Sequence, residues 1–127
     1  MTVAVLDTTV IIHLFRRDRS ALNWFAAQQS IFSITPITWM EIMVGVANKR
    51  AQADSLNLLN GFEMVYLMPA DMDWAMRQMF AYRLSRGVGV MDCFNASVCY
   101  RLQVPIYTHN QKDYQKILPP NLVIKPY

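Results

Sequence analysis

Apolar runs and polar breaks alternate along the chain at two periods. Val3-Ala4-Val5-Leu6 is an uninterrupted apolar run of the kind a strand buried on both faces requires, and Asp7-Thr8-Thr9 ends it. From Val10 to about Ala27 the spacing turns helical, and the break at Arg16-Arg17-Asp18-Arg19 divides it into two short helices. Ile31 to Thr35 reads as a second strand. Pro36 and Thr38 mark a helix start, with Ile37, Met40, Ile42, Met43 and Val46 as an apolar face reaching about Asn48. Ala51 to Asn60 predicts another helix, stopped by Gly61, and Glu63 to Met68 a third strand. Met72, Ala75, Met76, Met79 and Phe80 fall at helical spacing in a segment ending near Arg86, and we read that stripe as core. Beyond Gly87 and Gly89 come a helix from Cys93 to about Leu102, a strand at Pro105 to Thr108, a short helix at Lys112 to Ile117 and a strand at Leu122 to Lys125.

Strands alternating with helices predict an α/β fold: one parallel sheet with helices on both faces, built from right-handed crossovers. At 127 residues and 54% hydrophobic side chains, the chain is sized for a single domain over residues 1–127 with a sizeable core, which excludes intrinsic disorder. The longest uncharged run, Ser20 to Met40, contains Asn23, Gln28, Gln29 and Pro36, too polar for a membrane span. The apolar N-terminus has no basic leader and is interrupted by Asp7, which argues against a secretory signal, so the cytoplasm is the expected compartment. Cys93 and Cys99 lie six apart in one helix and point in different directions; they read as reduced packing residues, not a disulfide or zinc pair.

In a parallel sheet, strand C-termini and helix N-termini share the edge where ligands bind. Only nine residues are acidic, and four of them, Asp7, Glu41, Asp92 and Asp113, sit where a strand ends or a helix begins. Local capping competes as an explanation for three. Thr38-Trp39-Met40-Glu41 has the form of a capping box, Asp92 of an N-cap, and Asn110 with Asp113 of a cap and its third-position acid. Asp7 escapes it, because it follows four apolar residues of a central strand and has no Lys or Arg within eight residues on either side. A buried carboxylate needs a partner. If the four converge, each pair about 4 Å apart repels by roughly 4 kcal/mol at an effective dielectric near 20. Hard oxygen donors without a thiolate select Mg²⁺ or Mn²⁺. Thr9, Thr108 and Asn110 are placed to act as an outer shell. Such a site suits phosphoryl chemistry.

Four short motifs carry a resemblance. Val5-Leu6-Asp7-Thr8-Thr9-Val10-Ile11-Ile12, Ile34-Thr35-Pro36-Ile37-Thr38-Trp39-Met40-Glu41-Ile42, Met91-Asp92-Cys93-Phe94-Asn95-Ala96 and Thr108-His109-Asn110-Gln111-Lys112-Asp113-Tyr114 occur in this order. Together they resemble the PIN-domain ribonucleases, most closely the toxin subunits of VapBC-type toxin–antitoxin pairs, over essentially the full length. The departures are Thr9 for a common Ser or Asn, Cys93-Phe94-Asn95 for a usually aliphatic stretch, and His109 and Tyr114 where Arg and Phe are frequent. None removes an acid. The resemblance implies a five-stranded parallel sheet in a three-layer α/β/α sandwich, a homodimer, and Mg²⁺- or Mn²⁺-dependent endonucleolytic cleavage of RNA. It also implies a cognate antitoxin that occludes the site, often with a basic side chain. On this reading Asp7 and Asp92 are direct metal ligands, Glu41 ligates or orients water, and Asp113 completes a second or outer site.

Twelve Lys and Arg against nine acids give a net charge of +3, too small by itself to demonstrate a polyanionic partner. With four acids set aside as ligands, twelve basic residues face five acids, the basic rim around an acidic centre that a phosphate backbone wants. Arg16, Arg17 and Lys112 follow closely on site acids and, with His109, are the RNA-binding candidates. Trp24, Trp39 and Trp74 are read as packing residues, Trp39 being the best placed to stack on a base. A His13–His109 acid–base pair would leave the four acids without a purpose, and Asp7-Thr8-Thr9 lacks the second Asp of nucleophilic-aspartate phosphatases. The competing reading from another class is a non-catalytic PIN-like module whose acids dock a basic partner peptide.

Overall fold

All five expected strands form in the computed structural model, which describes residues 1–127, but each is a ladder of only two residues. They are β1 (Val5–Leu6), β2 (Ser33–Ile34), β3 (Glu63–Met64), β4 (Ile106–Tyr107) and β5 (Val123–Ile124). All pairings are parallel, in the order β3-β2-β1-β4-β5. Single backbone bonds prolong the ladders, as where Asp7 N donates to the Tyr107 carbonyl at 3.0 Å and Thr108 N to that of Ile124 at 2.9 Å. Helices α1 (Thr8–Phe15), α2 (Arg19–Ala26), α3 (Pro36–Val44), α4 (Lys49–Leu59), α5 (Pro69–Arg86), α6 (Val90–Leu102) and α7 (Gln111–Tyr114) fill the connections. A 3₁₀ turn at Pro120–Leu122 precedes β5.

Two cores flank the sheet because alternate residues of β1 point to opposite faces. Ala4 and Leu6 pack with Val10, Ile11, Phe32, Ile34 and Ile42 on one side, and Val5 packs with Ala96, Val98, Cys99, Ile106 and Tyr114 on the other. Trp24 stacks on Phe32 at 5.5 Å and Trp74 on Tyr100 at 5.1 Å, while Trp39 packs against the first core, so all three tryptophans serve packing. Both cysteines are buried and free. No helix is long and apolar enough to cross a membrane.

Helix ends differ from the sequence expectation where two cap residues compete. Thr35, not Thr38, caps α3, its hydroxyl accepting from Thr38 N at 3.3 Å, so Glu41 belongs to no capping box. Gly89 is the N-cap of α6, which puts Asp92 in the first turn instead of at the cap. Helix α3 stops at Val44 because Gly45 follows, short of Asn48, and Asn48 instead caps α4 through Ala51 N at 2.8 Å.

The methionine stripe is a correction of a different kind. Ala75 is buried, but Met72, Met76 and Phe80 are exposed, Phe80 at 95% and Leu84, one turn on, at 101%. Periodicity reports that a helix has an apolar face; it does not say that this chain's own core covers it. The opposite side of α5 is tied down by an ion pair between a buried Asp71 and a partly exposed Arg101, of which the periodicity gives no hint. Asp71 accepts from Met68 N at 2.8 Å and takes both its oxygens to Arg101 Nε of α6, at 2.8 and 3.0 Å. Gly87, at φ +65°, ends α5 in the left-handed conformation that a side chain would strain, and this lets the chain turn straight into α6.

Candidate metal centre

Chain order turns around β1. From it the chain steps to β2 and β3 on one side and later to β4 and β5 on the other, so the crevice between the C-terminal ends of β1 and β4 is a topological switch point. Asp7 leaves β1 and Thr108 leaves β4 at that crevice.

Asp7 is 5% exposed, and no Lys or Arg forms a salt bridge with it. Three hydroxyls satisfy it instead. Oδ2 accepts from Thr108 at 2.8 Å and Thr9 at 3.1 Å, and Oδ1 from Tyr114 at 2.8 Å. Each hydroxyl is itself anchored: Thr108 Oγ1 accepts from Asn110 N at 2.8 Å, Thr9 Oγ1 from His109 N at 3.3 Å, and the Tyr114 hydroxyl from Asn95 Nδ2 at 3.4 Å. The proposed outer shell of Thr9, Thr108 and Asn110 is thus a hydrogen-bonded loop around Asp7.

Glu41 accepts from Thr8 Oγ1 at 3.0 Å. Burial holds its carboxyl above the ordinary range and the Asp7 charge adds to that, with the Thr8 bond pulling the other way. Asp92 is pushed up to about 6, first by burial and then by the charges of Asp7, Asp113 and Glu41, with the Tyr114 hydroxyl opposing. Asp92 therefore senses all three other acids. Asp113 stands apart in character. Lys116 Nζ reaches its Oδ1 at 2.9 Å and Asn110 Nδ2 its Oδ2 at 2.6 Å, and these bonds pull its pKa down.

The donor set is all oxygen and its charges crowd at Asp92, which fits a hard divalent cation in type and in sign. As the side chains stand, no three carboxylates, imidazoles or thiolates close around a common point. Asp113 is turned to Lys116 and Asn110.

Arg16, Arg17 and Lys112 are exposed, and Lys112 helps lower Asp113. Arg16 and Glu41 line a cavity of about 300 Å³ between α1, α3 and α4, walled by Ile12, Ile42 and Val46. His109 faces His13 at 4.9 Å and Tyr127 at 4.5 Å, with burial as the first cause lowering its pKa and Nε2 buried without a hydrogen-bond partner. The sequence reading missed Thr8, Thr35, Thr38, Asn95 and Lys116 as members of this neighbourhood, and treated Tyr114 only as an aromatic. An Asn inside an apolar helix stretch was the one available signal.

The PIN domain model matches residues 4–117, and the chain belongs to the PIN-domain family. Among solved structures it is similar to a toxin–antitoxin complex from Klebsiella pneumoniae, at 26% identity over 98% of both chains with a TM-score of 0.74. It also resembles DNA-bound VapBC from Salmonella typhimurium, at 21% identity over 98% of both chains and a TM-score of 0.82. VapC20 of Mycobacterium tuberculosis, a sarcin-ricin loop cleaving toxin, shares 11% identity over 91% of this chain and 96% of that one, at a TM-score of 0.68. No curated protein matches the chain.

Proposed function

We propose that the protein is a Mg²⁺- or Mn²⁺-dependent endoribonuclease and the toxin of a toxin–antitoxin pair. The observation that carries this reading is a buried Asp7 with no cationic partner, held by three hydroxyls at the switch point of a PIN-domain chain, with Asp92 close enough to feel Asp7, Asp113 and Glu41. Asp7, Asp92 and Glu41, with Asp113 on the outer side, would hold the ion, which when bound acidifies a water and offsets charge on the scissile phosphate. Thr9, Thr108 and Tyr114 fix the Asp7 carboxylate, so its orientation is set before any ligand arrives. Arg16, Arg17 and Lys112 supply the cationic rim that holds the RNA backbone, whereas His109, packed on His13 and Tyr127 with Nε2 buried, is better suited to shaping the site wall. Likeness to toxin–antitoxin complexes supports a cognate antitoxin as partner.

The exposed stripe of Met72, Met76, Phe80 and Leu84 on α5 is covered, on this reading, by the same stripe of a second copy. Phe80 and Leu84, almost fully exposed beside Met76 and Met72, form the kind of contiguous apolar patch that marks an interaction surface. A two-fold pairing is self-complementary and closed. Phe80→Asp converts the dimer to monomer in light scattering after gel filtration; a wild type that is monomeric at high micromolar concentration overturns the dimer.

The deciding assay incubates the purified, partner-free chain with total RNA, with and without Mn²⁺. Discrete metal-dependent fragments are expected. Intact RNA in both arms, with Mn²⁺ bound, favours the non-catalytic module that docks a basic peptide on the same acids.

A further inference from the structure

Beneath the acids lies a buried polar hub that the mechanism above does not use. Asn95 of α6 is 1% exposed, and every polar atom of its amide is engaged. Its Oδ1 accepts from the Thr35 hydroxyl, and its Nδ2 donates to Thr38 Oγ1 and to the Tyr114 hydroxyl, at 3.4 Å each. One chain of bonds that starts at this amide ends on a site carboxylate: Tyr114 accepts from Asn95 and so turns its single proton onto Asp7 Oδ1 at 2.8 Å. The other donor bond stops at Thr38, because the single proton of the neighbouring Thr8 goes to Glu41 Oε1 at 3.0 Å. Thr35, held at the N-cap of α3, fixes which end of the amide is the donor.

Such a hub is costly to bury, and hydrocarbon would fill the same space without the desolvation. Tyr114 has no exposed surface and its ring already packs with Val5, Ala96, Val98 and Ile106, so its hydroxyl adds nothing to apolar packing. What the hydroxyl and the amide add is direction: a relayed hydrogen-bond donor aimed at the Asp7 carboxylate. We propose that Asn95 and Tyr114 are positioning residues that jointly orient Asp7 for the divalent ion. The inference rests on the metal-site reading and goes beyond it, since neither residue touches ion or substrate.

Outer-shell hydrogen bonds to a ligating carboxylate are typically worth about 10–100-fold in metal affinity or activity. Mn²⁺ binding to the RNA-free protein is measured by calorimetry, beside melting temperature and the kcat and KM for RNA. Tyr114→Phe removes one oxygen from a filled space. It is expected to melt close to wild type, bind Mn²⁺ about tenfold more weakly, and lose kcat by a similar factor with KM unchanged. Asn95→Leu, which removes the donor that turns the Tyr114 proton onto Asp7, is expected to weaken Mn²⁺ by a similar factor; it decides alone if Tyr114→Phe does not fold. A purely structural role would lower melting and leave the Mn²⁺ affinity of the folded protein within twofold of wild type, and that result overturns the proposal. Asp7→Asn run alongside separates the two readings. Loss of Mn²⁺ binding there, with both hub variants at wild-type affinity, retains the metal site and rejects the hub, whereas Asp7→Asn binding Mn²⁺ as wild type rejects both.

Discussion

Asp92→Asn is expected to abolish metal-dependent RNA cleavage, by three orders of magnitude or more, and at the same time to make the metal-free protein more stable at neutral pH. The two effects share a cause. In the fold Asp92 is pushed up to about 6, by burial and then by Asp7, Asp113 and Glu41. Because its folded pKa lies above its unfolded value, the folded state binds more protons between about pH 4 and 6, and stability contributed at low pH is lost as pH rises through that window. Solvent reaches the half-buried Asp92 and screens this repulsion, so the destabilisation at pH 7 is on the order of 1–2 kcal/mol. Glu41, raised in the same sense, adds to it. Asp113 is lowered and works the other way, losing its contribution as pH falls, but it is partly solvated and paired with Lys116, so its share is smaller. Melting of the metal-free wild type should therefore rise from pH 7 toward pH 5, and Asp92→Asn should flatten that slope. Added Mn²⁺ should stabilise wild type and not the variant. A variant that melts as wild type at pH 7 and shows the same pH slope would refute the electrostatic account. Asp7→Asn should lose cleavage equally. It gains no comparable stability, since three hydroxyls already satisfy the Asp7 carboxylate.

The largest stability effect is expected far from the acids, where α5 and α6 are joined by Asp71 and Arg101. Arg101→Met leaves a carboxylate that is 1% exposed without its cation, and removing one partner of a buried pair costs about 3–5 kcal/mol. Asp71→Asn should cost less, because the Arg101 side chain is 30% exposed and can turn to water, while the amide oxygen still accepts from Met68 N. In thermal melts Arg101→Met should fall by roughly 10 °C or more, and Asp71→Asn by clearly less. The reverse ranking would mean that the cap on α5, not the ion pair, carries the stability.

How far the sequence reached is clearest at three places. The apolar run ending at Asp7 was enough to place a buried carboxylate at a sheet edge, because a strand buried on both faces leaves a terminal acid nowhere else to go. The alternation of strand and helix brought Glu41, Asp92 and Asp113 to the same edge, since strand ends and helix starts share it in any parallel sheet. Cap identity was less legible: Thr35 and Thr38 both suit an N-cap, and only backbone geometry selects Thr35. The methionine stripe was misread as core because a helical apolar face looks the same whether this chain or another covers it.

The local chemistry of the chain thus determined the order of elements, the parallel sheet and the edge on which Asp7, Glu41, Asp92 and Asp113 fall, all of which follow from short-range periodicity and from the geometry every α/β crossover obeys. Only the tertiary structure decided what three of these acids bond to: Tyr114, Thr108 and Thr9 on Asp7, Thr8 on Glu41, and Lys116 on Asp113. Most of those partners come from segments distant in sequence, up to 107 residues away for Tyr114, and hydrogen-bond direction depends on angstrom-scale placement that no residue spacing encodes.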